Sequence, residues 1–293
     1  MYTLIKLIKM NTTTKEQIKN DLYQFVQKVG SQNAASKQLT NVSNATISNI
    51  LAGKWDNIGD SMWISIQKQV STNGNEWKVL TDTRRMSMMH QLYMDAKRFS
   101  EVFCIVAPEG SGKTEPAKIF SSNENVYILK CKEHLNRKTF LSELLQAMGK
   151  DSGGYTVYEM MTVVLEAILR AESPLIILDE ADKISDQVLY FFITIYNETE
   201  GKCGLVLQAT DHLKKRIQKG VAINKKGFKE ILSRIGRKFI ELPHNTDEEL
   251  KRIAMMNGVN DELEAIRIVN DSERDIRRVK RLVLAYKRKK GAA

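Results

Sequence analysis

Eight consecutive residues constrain this chain more than any others: Ala107-Pro108-Glu109-Gly110-Ser111-Gly112-Lys113-Thr114. They follow the apolar run Phe103-Cys104-Ile105-Val106, which reads as a buried strand, and they precede a helical pattern that begins near Glu115. A strand, a glycine-bearing loop and a helix in that order form a phosphate cradle. Gly110 and Gly112 let backbone N–H groups wrap an anion without Cβ obstruction, and the helix N-terminus adds partial positive charge. In this pattern Lys113 reaches the β- and γ-phosphates and Thr114 ligates Mg2+, so ATP and Mg2+ are the expected cofactors. Pro108, Glu109, Ser111 and Glu115 complete the expected nucleotide contact. Ala107 stands where the first glycine of G-x-x-x-x-G-K-[ST] is usual; alanine is the smallest substitute and leaves the loop workable.

A second element lies 66 residues beyond Lys113. Leu175-Ile176-Ile177-Leu178 is an apolar strand that ends in two carboxylates, Asp179 and Glu180. A hard cation needs anionic oxygen, which Asp179 supplies at the strand's carboxyl end. Glu180 is then placed to polarise an attacking water as general base. An Asp-Glu pair after an apolar run is common, but paired with the loop it points to nucleotide hydrolysis.

Charge and composition bound the rest. The 293 residues carry 45 Lys+Arg against 35 Asp+Glu, a net +10, with 42% hydrophobic residues. Such a chain buries a sizeable core and has room for about two domains. No apolar stretch approaches the roughly 20 residues that span a bilayer, and Met1–Lys9 lacks a secretory cleavage pattern. Cys104, Cys131 and Cys203 are odd in number and widely spaced, so reduced thiols in a cytoplasmic protein are expected, with no membrane partner. The basic excess is uneven: His212 to Ile240 holds ten Lys or Arg and only Glu230 against them, and Lys287 to Lys290 adds four more. This reads either as a solvated face or as phosphate contact.

The front of the chain reads as short helices. Ile18, Leu22, Phe25, Val26 and Val29 recur at helical spacing before Gly30; Ser31 to Leu39 forms a second helix; Ser43 caps a third that ends near Gly53. Ala35, the turn residue Val42 and Ile47 resemble a helix-turn-helix of the phage-repressor type, although the turn lacks the usual glycine and is one residue longer. That resemblance implies that Asn44, Thr46 and Asn49 face bases or phosphates. The alternative is a helical bundle used for protein contact. Trp55, Trp63 and Ile66 fit its core, and residues 71–83 have linker composition.

The order of motifs resembles an AAA+ ATPase: phosphate loop, Asp-Glu strand, then Gly204 to Gln208 leading to Ala209-Thr210. The resemblance implies that Thr210 senses the γ-phosphate. It also implies that Arg234, or else Arg237, is a finger completing a neighbour's site, and that Arg277 in Arg274-Asp275-Ile276-Arg277 is the lid's sensor arginine. The glycine usual before that Asp is absent, and surface ion pairing or DNA contact remains the alternative for each arginine. Thr246 to Glu249 is a capping box opening a lid helix over Leu250, Ile253 and Ala254. The expected fold class is therefore α/β: a P-loop AAA+ three-layer core with a parallel sheet and a small helical lid, preceded by an all-α helix-turn-helix domain. The expected divisions are 1–71 for that domain, 72–86 for a linker, 87–243 for the core, and 244–293 for the lid and basic tail.

The module order as a whole resembles the phage-Mu-B-type transposition ATPases. That implies ATP-dependent, largely sequence-independent binding to double-stranded DNA, self-assembly into a helical oligomer or filament, delivery of the target to a transposase, and release on hydrolysis. Lys214, Lys215, Arg216, Lys219, Lys225 and Lys226 would then meet the DNA backbone. A helicase-loader or initiator-like ATPase, and a helix-turn-helix transcriptional regulator with an ATP switch, are the alternatives.

Overall fold

A computed structural model describes residues 12–70 and 77–291; the Met1–Lys9 segment and residues 71–76 of the expected linker lie outside the described residues. The chain forms two compact units, Met1–Trp77 and Lys78–Ala293.

The first unit holds α1 (Thr12–Val29), α2 (Gln32–Gln38), α3 (Asn44–Leu51) and α4 (Asp60–Val70). Ile18, Leu22, Ala35, Ile47, Ile50, Trp63 and Ile66 form its core. Ser31 and Ser43 accept backbone N–H bonds and cap α2 and α3, satisfying donors that a helix start otherwise leaves unpaired. The α2–α3 turn dispenses with glycine because Asn41 takes the left-handed conformation, φ +59°, which asparagine tolerates better than most residues. Gln69 of α4 clasps that turn: its amide accepts from Thr40 N at 2.6 Å and donates to Thr40 O at 3.0 Å. Trp55 meets Trp63 edge-on at 5.3 Å and donates its ring N–H to Ile50 O, so both indoles serve the core.

The second unit opens with α5 (Arg84–Phe99), which begins three residues before position 87, the expected start of the core, because Thr83 accepts from Met86 N and caps it. Then follow β1 (Val102–Val106), α6 (Thr114–Phe120), β2 (Val126–Lys130), α7 (Arg137–Ala147), α8 (Val157–Arg170), β3 (Leu175–Asp179), α9 (Asp186–Thr199), β4 (Gly204–Ala209), α10 (Asp211–Ala222), α11 (Phe228–Arg234) and the two-residue β5 (Ile240–Glu241). All pairings are parallel, in the order β2-β3-β4-β1-β5. Side chains alternate across each strand. Ile176, Leu178, Leu205 and Leu207 pack with α7 to α11, whereas Ile105, Leu175, Ile177 and Val206 pack with Met89, Tyr93 and Ala96 of α5 and Phe120 of α6. Both faces are covered, which is why the strands read as continuous apolar runs rather than alternating ones.

A parallel sheet places every strand's carboxyl end on one edge, so the loops after β1, β3 and β4 converge there. Three further helices complete the unit: α12 (Asp247–Met256), α13 (Glu262–Ser272) and α14 (Ile276–Gly291). The capping box forms as expected, with Thr246 Oγ1 accepting from Glu249 N and Glu249 Oε2 accepting from Thr246 N at 2.8 Å. Leu250, Ala254, Val279 and Val283 are buried, while Met255 is exposed. Among the described residues no helix is long and apolar enough to cross a membrane.

Gly204 of β4 lies directly against α5, where a Cβ would collide with the Ala96 carbonyl. Gly204→Ala should therefore lower unfolding stability by about 1–3 kcal/mol in a urea titration, the usual cost of overpacking. An unchanged midpoint would contradict this contact.

Candidate functional site

The phosphate loop owes its path to two glycines in the left-handed region, Gly110 (φ +67°) and Gly112 (φ +91°). Each is also pressed by the start of α14. A Cβ at Gly110 would collide with the Asp275 carboxylate, and one at Gly112 would lie 2.9 Å from Ile276 Cδ1. Ile276 N donates to Gly110 O at 3.0 Å, so the last helix is hydrogen-bonded to the loop itself. Lys113 Nζ turns back onto the loop, donating to Ala107 O at 2.6 Å and Pro108 O at 2.9 Å. Burial draws its pKa below the ordinary lysine value, against the attraction of Asp179 and Asp182.

Asp179, at the carboxyl end of β3, is 1% exposed. Thr114 Oγ1 donates to its Oδ2 at 2.8 Å and Glu180 N to its Oδ1 at 3.0 Å. With its amide oriented to match donors with acceptors, fully buried Gln208 of β4 donates to Asp179 Oδ1 at 3.2 Å and to Lys113 O at 3.3 Å, and accepts from Tyr93 Oη of α5. Burial raises the Asp179 pKa, with the Thr114 bond acting in the opposite direction.

Glu180 takes the left-handed conformation, φ +56°, as the chain leaves β3. Its carboxylate is bridged to Lys130 at 3.3 Å and to Lys183. Burial works against the charged form, but the bonds and charge of Lys183 and Lys130 outweigh it and hold the pKa below the usual carboxylate value. Thr210 follows β4 directly. Its N donates to Asp182 Oδ1 at 3.0 Å, and its buried hydroxyl has no hydrogen-bond partner among the described residues. Ser111 likewise has a buried, unpartnered hydroxyl. Pro108 and Glu109 are exposed, and Glu115 is half-buried in the first turn of α6.

The lid contributes Arg277, an exposed side chain whose Nη1 lies 3.9 Å from Glu109 Oε2. The glycine absent from this segment is replaced by conformation: Glu273 (φ +52°) and Arg274 (φ +63°) both occupy the left-handed region. Asp275 then accepts from Arg277 N at 2.7 Å, holding the start of α14.

The remaining expected residues have the following surroundings in the chain. Arg216, expected against DNA, braces the segment after β3: its Nη1 donates to Ile184 O at 2.7 Å and its Nη2 pairs with Asp186 at 2.9 Å. Lys214 pairs with Glu241, Lys215 with Asp211, and Lys225 with Asp186, because acidic residues outside the basic run fold back against it. Lys219 and Lys226 stand exposed. Arg234 stacks on Tyr196, 4.8 Å from the ring centre, and pairs with Glu230 at 3.6 Å; Arg237 is exposed on the following turn. In the first unit Asn44 donates to Asn33 at 2.6 Å, the Thr46 hydroxyl shares a hydrogen with Ser43 at 2.9 Å, and Asn49 is exposed.

Two site residues escape a motif reading. Gln208 was detectable as the lone polar side chain in the apolar run Gly204 to Ala209. Arg85, 4% exposed and bonded to the Ser111 and Pro243 carbonyls, had no signal in its exposed-looking segment Thr83-Arg84-Arg85. Gln208→Leu would leave Asp179 and Tyr93 each short of a partner. Denaturant titration should show about 1–3 kcal/mol lost; a stable variant would remove Gln208 from the network.

Residues 100–217 match the family described as the AAA domain, a span that runs from the residues before β1 into α10 and contains the phosphate loop, Asp179, Glu180, Gln208 and Thr210. No curated protein matches the chain. The family match and the five-stranded parallel sheet point to an AAA-type P-loop ATPase that binds and hydrolyses nucleotide.

Proposed function

We propose that this chain is an ATP-dependent DNA-binding ATPase that assembles with copies of itself on double-stranded DNA, presents that DNA to a transposase, and leaves when ATP is hydrolysed. The observation that carries the ATPase part is the direct bond between Thr114 of the phosphate loop and Asp179 of the neighbouring strand. It gathers the anion cradle and the carboxylates at one edge of the sheet.

Mg2+ takes few protein ligands alongside nucleotide phosphates, and the oxygens of Thr114 and Asp179 fit that preference; when bound, it neutralises phosphate charge. The remaining chemistry belongs to the chain. Lys113 exchanges the Ala107 and Pro108 carbonyls for phosphate oxygens. Glu180, ionised at neutral pH, accepts a proton from the attacking water once its lysine bridges loosen. The unpartnered Thr210 hydroxyl donates to the terminal phosphate, and Arg277 approaches from the lid. Arg234 or Arg237 completes the site of a neighbouring copy; Arg237 is the more exposed of the two.

For DNA, the favoured surface is basic and sequence-tolerant. Exposed Lys219, Lys226, Lys229 and Lys238 remain after the ion pairs above are removed, and α14, with no acidic residue of its own, carries eight Lys or Arg, of which Arg277 and Arg278 pair with Glu109 and Glu273. Exposed Asn44 and Asn49 on α3 support a second reading, a helix-turn-helix regulator that reads a discrete site and uses ATP as a switch.

Footprinting separates the two: the proposed ATPase protects long duplexes of any sequence, with affinity falling steeply as salt rises, whereas a regulator protects one short site. Lys113→Ala should abolish nucleotide-dependent DNA binding in a gel-shift assay, and retained ATP-dependent binding would contradict the site. Glu180→Gln should bind ATP and remain on DNA with phosphate release reduced by about 100-fold or more. Hydrolysis at the wild-type rate would refute the base assignment.

A further inference from the structure

Arg85 is a buried cation, and the ATPase chemistry just described leaves it unused. It lies in the first turn of α5, 4% exposed. Its guanidinium makes three hydrogen bonds, all to backbone carbonyls. Nη1 donates to Ser111 O in the phosphate loop, while Nε (at 3.0 Å) and Nη2 donate to Pro243 O. No carboxylate forms an ion pair with it among the described residues; Glu249, the capping-box residue of α12, is the acid whose charge it feels. Burying a guanidinium without a carboxylate is unfavourable unless a neighbouring group or ligand offsets the charge.

The two carbonyls that Arg85 holds are special in position. Pro243 lies in the short segment between β5 and α12, the covalent joint between core and lid. Ser111 lies between the loop's two left-handed glycines. A trans peptide is planar, so the C=O of Ser111 and the N–H of Gly112 point in opposite directions. Fixing the carbonyl outward therefore aims the Gly112 N–H inward. The preceding peptide is fixed in the same manner, since Ile276 N of α14 donates to Gly110 O at 3.0 Å and so aims the Ser111 N–H. Two successive loop peptides are thus gripped from outside, one by the lid and one by Arg85.

We propose that Arg85 is a positioning residue for nucleotide binding: it orients the Ser111–Gly112 peptide toward the phosphates, ties that peptide to the core–lid joint at Pro243, and lends the loop a buried positive charge that the phosphates offset. This rests on the reading of the loop as an ATP site. Lysine can supply the charge but not the planar fork that spans two carbonyls, so Arg85→Lys and Arg85→Met separate the two contributions.

The test measures ATP and ADP affinity by calorimetry on the full-length chain, with circular dichroism confirming the fold, and follows amide hydrogen exchange over residues 110–114 without nucleotide. Arg85→Met should weaken ATP binding about tenfold or more, as loss of hydrogen bonds from a charged donor implies. Arg85→Lys should recover part of the affinity, and in both variants residues 110–114 should exchange faster than in the wild type. Wild-type affinity in folded Arg85→Met would overturn the proposal. Should that variant not fold, unchanged exchange and unchanged affinity in Arg85→Lys would overturn it. Failure of the wild-type chain to bind ATP would instead refute the reading of the site, while the exchange comparison would still decide whether Arg85 orients the loop.

Discussion

A carboxylate buried at the end of a parallel strand is the constraint on which the rest of the site depends. Asp179 is 1% exposed, and isolated burial of an ionised carboxyl is strongly unfavourable. The fold meets this with the Thr114 hydroxyl, the Glu180 backbone N–H and the Gln208 amide, with Lys113 supplying opposite charge nearby. Each partner arrives on a different segment: the phosphate loop with α6, the turn after β3, and β4. The strand order brings them together, because β4 lies between β1 and β3 and all strands end at the same edge. The contacts that satisfy Asp179 are the same ones that assemble the candidate phosphate site.

The second dependence is between loop and lid. Gly110 and Gly112 are needed for their backbone conformation and also because Asp275 and Ile276 of α14 occupy the space a side chain would take. A lid helix hydrogen-bonded to the loop feels any movement of the loop's peptides. Thr83 and Arg84 at the start of α5 lie against the same region, since Arg84 N donates to Glu249 of the α12 capping box at 3.2 Å. Core and lid are joined by hydrogen bonds at the point where phosphate would bind.

Much of this was legible in the sequence, for identifiable reasons. The loop, the Asp179 strand and the Thr246 capping box are local patterns whose chemistry fixes residue spacing, whereas Thr210 was marked only through the family resemblance. The helices around Leu22 and Ile47 follow from apolar periodicity. What was hidden depends on distant partners. The two-residue β5 has no periodicity to detect, and it exists because Ile240 and Glu241 pair with β1. The basic run after His212 reads as a block of positive charge, yet Asp186, Asp211 and Glu241 neutralise several of its members, and Arg216 is drawn half-inside by carbonyls. The net charge counted along the chain overstated the charge that segment presents. Conversely, α14 concentrates eight basic residues in one helix, of which the sequence marks the last four as a basic block and Arg277 as a sensor, leaving Arg278, Lys280 and Arg281 unremarked.

The central claim is that the Thr114–Asp179 pair and the loop above it form a nucleotide site. Calorimetric titration of the wild-type chain with ATP, with Mg2+ and again after its removal by chelation, tests it most directly. Saturable binding at one site per chain, weakened when Mg2+ is withdrawn, is the predicted result. Absence of ATP binding, or binding indifferent to Mg2+, would contradict the account.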